Sequence, residues 1–121
     1  NILRINNIKL ICLAGFMRIL PGYFIKNFEG IILNIHPSLL PKYKGLHAIE
    51  QALDSGDDIT GVSVHYVNEE LDGGEIILQQ EVPILPDDDV ESLTKAIQRV
   101  EYGILPAAIE HVRHQFEQQI N

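Results

Sequence analysis

The chain has 121 residues and a mass of 13.6 kDa, with 45% hydrophobic and 21% charged residues. That composition and size fit one globular domain spanning 1–121 and exclude disorder, collagen-like repeats and low complexity. Nine Lys+Arg against seventeen Asp+Glu leave a net charge of -8, so the mean field repels phosphate backbones and anionic lipid. The expectation is no nucleic-acid partner and no membrane partner. One cysteine, Cys12, lies inside Ile11-Cys12-Leu13-Ala14, which offers neither a disulfide framework nor a multi-cysteine zinc site. No apolar stretch reaches the roughly 18 residues of a membrane span and no signal-peptide pattern opens the chain, so a cytoplasmic location is expected.

The chain begins with Asn1 rather than Met, and Ile2-Leu3-Arg4-Ile5-Asn6-Asn7 reads as the tail of an amphipathic helix, which suggests part of a larger domain. Residues 9–15, Lys-Leu-Ile-Cys-Leu-Ala-Gly, form a continuous apolar run closed by glycine, the pattern of a parallel strand covered on both faces. Pro21 suits the first turn of a short helix over 21–28, with Phe24, Ile25 and Phe28 apolar. Residues 30–36 are again β-branched and apolar until Pro37 removes the backbone donor that would continue a ladder.

A proline-bounded loop over 38–45 leads to a helix over 47–56 with a glycine stop. Residues 60–68 alternate, with Val62, Val64 and Tyr66 opposite Ser63, His65 and Val67, and 75–84 form a second β-rich run after Gly73-Gly74. These two runs are expected to pair antiparallel. Asp87, Asp88 and Asp89 precede Val90, Leu93, Ile97 and Val100, placing acidic residues at a helix start, where the macrodipole favours them over a metal role. Pro106 is expected to kink or restart that helix. The order implies an α/β fold with a mostly parallel sheet, helices on both faces, and a C-terminal antiparallel strand pair plus helix. Such sheets take ligands at the carboxyl ends of their strands.

Asn34 and His36 stand two apart on a strand, so both side chains point to one face at its carboxyl end. An amide donor beside an imidazole suits a carbonyl oxygen that is becoming an oxyanion; the alternative is that both merely cap a strand end. Asp72 in Leu71-Asp72-Gly73-Gly74 is either a plain turn residue or a carboxylate that raises the pKa of His36 and keeps it a general acid. His65 faces either the site or a solvated sheet face. His47 reads as a local loop contact, while His111 and His114 lie on a solvated helix face. No metal-ligand spacing occurs, so no metal is expected. Cys12 reads as core packing, and no phosphate-cradling glycine loop is present.

Asn34-Ile35-His36-Pro37-Ser38-Leu39-Leu40-Pro41, Lys44-Gly45-Leu46-His47, Gly61-Val62-Ser63-Val64-His65 and Leu71-Asp72-Gly73-Gly74, in this order and spacing, resemble the folate-dependent formyltransferases. Within that group the glycinamide ribonucleotide (GAR) formyltransferases of purine synthesis are most similar, through Gly45-Leu46-His47 and Leu71-Asp72-Gly73-Gly74. Lys44 departs from a commoner proline. The resemblance runs from about residue 10 to 106.

This resemblance implies a Rossmann-like formyltransferase fold. It also implies transfer of a formyl group from 10-formyltetrahydrofolate, a co-substrate, to the amine of GAR without a metal. It makes Asn34, His36 and Asp72 catalytic: Asn34 binds the formyl oxygen, His36 is the acid, and Asp72 keeps His36 protonated and relays protons through water. Met17, Arg18, Ile19 and Leu20, together with Asn68, Glu69, Glu70, Leu71 and Asp72, would contact folate, and Glu101 the glycinamide end of GAR. The family's N-terminal half, with a glycine-rich loop that grips the phosphate of GAR, has no counterpart here, so the fold is expected to be incomplete at the N-terminus. Its loss would leave an open strand edge and the option of a homodimer. Alternatives are a formyltetrahydrofolate hydrolase, another formyltransferase of the family, or a non-catalytic folate-binding fragment.

Overall fold

The computed structural model describes the backbone of residues 2–5, 8–14, 30–67 and 74–120, and side chains within 30–67 and 74–115. The elements in chain order are β1 (Ile2–Ile5), β2 (Ile8–Ala14), β3 (Gly30–His36), α1 (Ala48–Ser55), β4 (Ile59–Tyr66), β5 (Ile76–Pro83) and α2 (Val90–Ile120). One five-stranded sheet runs in the order β1-β2-β3-β4-β5.

β2 and β3 form where apolar runs were expected, and they pair parallel with Leu13 opposite Asn34. The expected helix tail at the start is instead a strand. β1 pairs antiparallel with β2, and the partners Ile5 and Ile8 leave a two-residue connection between them. That is the loop length of a tight hairpin, and β-branched isoleucines favour the pleated partner over an isolated turn of helix.

Among the described residues only β2–β3 pairs parallel, while β1–β2, β3–β4 and β4–β5 pair antiparallel. The reason lies in the connection between β3 and β4. His36, the last residue of β3, pairs with Ser63 near the start of β4. The chain between them therefore enters β4 at the carboxyl end of β3, whereas a parallel crossover must re-enter at the opposite end. β4 and β5 pair antiparallel as expected, with a bulge where Val64 faces Leu78 but His65 faces Ile76.

β3 and β4 divide their side chains between two faces. Leu33 and Ile35 join Val62, Val64 and Val82 in a core closed by Leu93, Ile97, Ile104, Ala108 and Val112 of α2. Ile49 and Leu53 of α1 pack against the same core. Helices on both faces are thus not seen among the described residues, since both helices pack against this core; the expected helix over 21–28 lies outside those residues.

α2 runs through Pro106 without restarting. Proline removes the bond to the carbonyl four residues back, on Tyr102. Tyr102 is 81% exposed and Pro106 is exposed too, so the orphaned carbonyl sits on the side of the helix that water reaches. The aspartates before α2 do cap it. Ser92 N–H donates to Asp89 Oδ1 at 2.8 Å, and Asp89 N–H donates to Ser92 Oγ at 2.9 Å. The bonds from Ser92 hold the carboxyl groups of both Asp88 and Asp89 below the ordinary range.

Candidate active site

The face of β3 opposite the core carries Asn34 and His36, which are 2% and 6% exposed. The register extends this polar face across the sheet. Asn34 pairs with His65 and His36 with Ser63, and Ser63 pairs in turn with Gln79 on β5. His65 is fully buried, so of its two expected environments the solvated sheet face is excluded.

Buried polar groups on this scale need partners, and the partners fix proton positions. His65 Nδ1 lies 2.8 Å from the carbonyl of Tyr66, which can only accept, so Nδ1 carries the hydrogen. In the neutral ring Nε2 is then an acceptor, and it receives an N–H from Asn34 Nδ2 at 3.3 Å. The Asn34 amide is thereby oriented with its nitrogen toward His65. His36 Nε2 lies 2.7 Å from the carbonyl of Tyr43, so Nε2 of His36 carries a hydrogen.

A second set of bonds pins the loop after β3 onto the sheet. Ser63 Oγ donates to the Ser38 carbonyl at 2.7 Å, and accepts from the Leu40 N–H at 3.0 Å and from Gln79 Nε2 at 2.9 Å. Gln79 Nε2 also donates to the Leu40 carbonyl at 2.9 Å. Ser38 Oγ donates to the Lys42 carbonyl at 2.6 Å, and the Leu40–Pro41 peptide is cis. Gly61 permits the close approach, since a Cβ there would stand 2.3 Å from the Gln80 carbonyl oxygen and 2.4 Å from Leu39 Cδ2. Gly74 does the same at the base of the next loop, where a Cβ would meet the Tyr66 carbonyl oxygen at 1.6 Å.

Of the residues expected at the site, Asn34 and His36 are brought together. Glu101 stands half-buried on α2. Burial pushes its carboxyl pKa up. Met17, Arg18, Ile19, Leu20, Asn68, Glu69, Glu70, Leu71 and Asp72 lie outside the described residues. His47 pairs with Glu50 at 2.6 Å on the surface, the local contact anticipated for it. Among the described residues, no three His, Cys, Asp or Glu side chains converge to hold a metal, and no helix is long and apolar enough to cross a membrane.

Sequence reasoning did not assign Ser63, Gln79 or Tyr43 to the site and left His65 undecided. The period-two argument that singles out Asn34 and His36 applies equally to Ser63 and His65, and it is the signal that finds them.

The formyl transferase family model matches residues 2–109. The chain is 50% identical over 103 residues to phosphoribosylglycinamide formyltransferase of Haemophilus influenzae, covering 85% of this chain and 49% of that protein. It is 51% identical over 107 residues to the trifunctional purine biosynthetic protein adenosine-3 of Drosophila melanogaster, covering 88% of this chain and 8% of that protein. The crystal structure of phosphoribosylglycinamide formyltransferase from Anaplasma phagocytophilum matches with a TM-score of 0.82 at 47% identity, covering 88% of this chain and 52% of that one. The chain thus spans about half the length of the single-function relatives it matches. A Rossmann-like α/β scaffold, a strand ending in Asn34 and His36, and this breadth of identity agree: the chain belongs to the formyl transferase family.

Proposed function

We propose that this chain carries the formyl-transfer face of an enzyme that moves a formyl group from 10-formyltetrahydrofolate to the amine of GAR in purine synthesis. The observation that carries the reading is the buried pair Asn34 and His36, each with one ring or amide nitrogen already oriented by a named partner. The names of the relatives support formyl transfer to phosphoribosylglycinamide in purine synthesis, and the folate donor comes from the resemblance.

The acceptor amine attacks the formyl carbon and the carbonyl oxygen becomes an oxyanion. Asn34 uses one amide N–H to hold its orientation against His65 and donates the other to that oxygen. His36, its Nε2–H given to Tyr43, donates from Nδ1 in its protonated form. Two buried donors preset toward developing charge are the usual source of such stabilisation. On collapse the amine nitrogen loses a proton and N10 of the folate gains one, with His36 as the group that exchanges it. Asp72 would hold His36 protonated, Glu101 would meet the glycinamide end of GAR, and residues 17–20 and 68–72 would contact the folate, all by resemblance. The same reading carries small-molecule partners and a cytoplasmic location.

The test is release of tetrahydrofolate from 10-formyltetrahydrofolate with and without GAR. It is made on the 121-residue chain and on a chimera in which this chain replaces the matched half of a full-length relative. GAR-dependent release supports the reading, whereas GAR-independent release of formate favours a hydrolase. Folate binding without turnover in a folded chimera leaves a non-catalytic folate-binding module.

A further inference from the structure

Tyr43 is one of two non-glycine residues with positive φ among the described residues, at 55°. A tyrosine there is strained, because its Cβ crowds the following carbonyl. Such strain persists only where the surroundings over-determine it. Here the surroundings are specific. The Tyr43 phenol donates a hydrogen bond to Asp57 Oδ2, and Lys42 Nζ reaches the same oxygen at 3.1 Å. Asp57 is itself held just beyond α1, where Gly56 turns left-handed at φ 79° and the Asp57 N–H donates to Ser55 Oγ at 3.0 Å. The strained peptide points its carbonyl at His36 Nε2, 2.7 Å away.

We propose that Asp57, acting through Tyr43, is a positioning residue for the formyl-transfer reaction. Its carboxylate anchors the Tyr43 phenol, the anchored tyrosine stays left-handed, and the Tyr43 carbonyl then fixes the plane of the His36 ring and the hydrogen on its Nε2. Relaxation of residue 43 to an ordinary backbone conformation would turn that carbonyl away. A glycine would reach the same φ without strain, but it would have no phenol to fix the turn in place. The Tyr43 phenol and, after it, the Lys42 ammonium hold the Asp57 carboxyl below the ordinary carboxylate range, so the anchor is charged at neutral pH.

The inference rests on His36 as the reaction's acid, and the experiment separates the two claims. In the 121-residue chain, NMR of the His36 ring is expected to show an Hε2 proton that exchanges slowly with solvent. Tyr43→Phe and Asp57→Asn should each speed that exchange several-fold while the backbone spectrum stays folded. In the chimera each should lower kcat roughly tenfold or more with KM for folate unchanged. Tyr43→Gly should make a further Asp57→Asn change silent, because Asp57 acts only through the phenol. Unchanged Hε2 exchange in folded Tyr43→Phe and Asp57→Asn overturns the positioning role. Sensitive exchange alongside full activity in His36→Ala upholds the positioning and overturns the function assigned to His36.

Discussion

Asn34 and His65, 31 residues apart in sequence, face each other across the β3–β4 pairing with Nδ2 3.3 Å from Nε2. The same His65 gives its other nitrogen to the backbone of Tyr66 at 2.8 Å. The amide of Asn34 is therefore set by a ring that cannot itself turn without losing a bond. Removing the ring in His65→Ala should free the amide to rotate and lower kcat about tenfold, with KM little changed. In combination with Asn34→Ala the further loss should be small, because the two act as one unit. Additive losses in that double-mutant cycle would show that His65 acts by another route.

His36→Ala should cost about 10²–10⁴-fold in kcat, the range for a positioned acid or base. Asn34→Ala should cost about 10²–10³-fold, the range for one oxyanion donor. Both are read as GAR-dependent folate release in the chimera, with circular dichroism to confirm folding. A rate within threefold or so of the parent in either variant removes that residue from the reaction.

Legibility in the sequence followed the range of the physics involved. The strand ending at His36 and the acidic helix start at Asp87, Asp88 and Asp89 were readable because they depend on residues close together in the chain. The environment of His65 on β4 stayed open because a polar residue in an alternating strand suits either a site or water. Residues 60–65 are nonetheless all buried, and the side chains of Ser63 and His65 bond to β3, β5, the loop after β3 and the Tyr66 backbone. The helix tail expected at residues 2–7 failed because Ile2, Leu3 and Ile5 satisfy helical and β patterns alike over so short a run. A left-handed tyrosine tied to a carboxylate 14 residues away leaves no local mark at all.

Thr60 is buried on the core face of β4, opposite Val82, and its Oγ1 has no hydrogen-bond partner among the described residues. A buried hydroxyl without a partner retains its desolvation cost. Thr60→Val should accordingly raise unfolding stability by about 1 kcal/mol, seen as a higher urea midpoint at unchanged slope. A lower midpoint would mean that the hydroxyl is satisfied in solution.

Glu101 has its carboxyl pKa raised above the ordinary 4.5 by burial. The folded state then binds the proton more tightly than the unfolded chain, so stability falls as pH rises from the unfolded value through the folded one. Glu101→Gln removes that dependence. Its Tm should match the parent near pH 4 and exceed it by a few degrees at pH 7; the same Tm difference at both pH values would refute the burial effect.

The alternation along β3 also gives the strand a form of error-checking. Leu33 and Ile35 serve the core while Asn34 and His36 serve the chemistry, one residue out of step. A slip of β3 by one residue would send an amide and an imidazole into the hydrocarbon layer and two aliphatic chains onto the polar face. Such a mispaired sheet would lose its core contacts and its reaction together, so a stably folded but inactive form of this face is not reached by register error. Selection for stability on one side of the strand thereby keeps the spacing of the chemistry on the other.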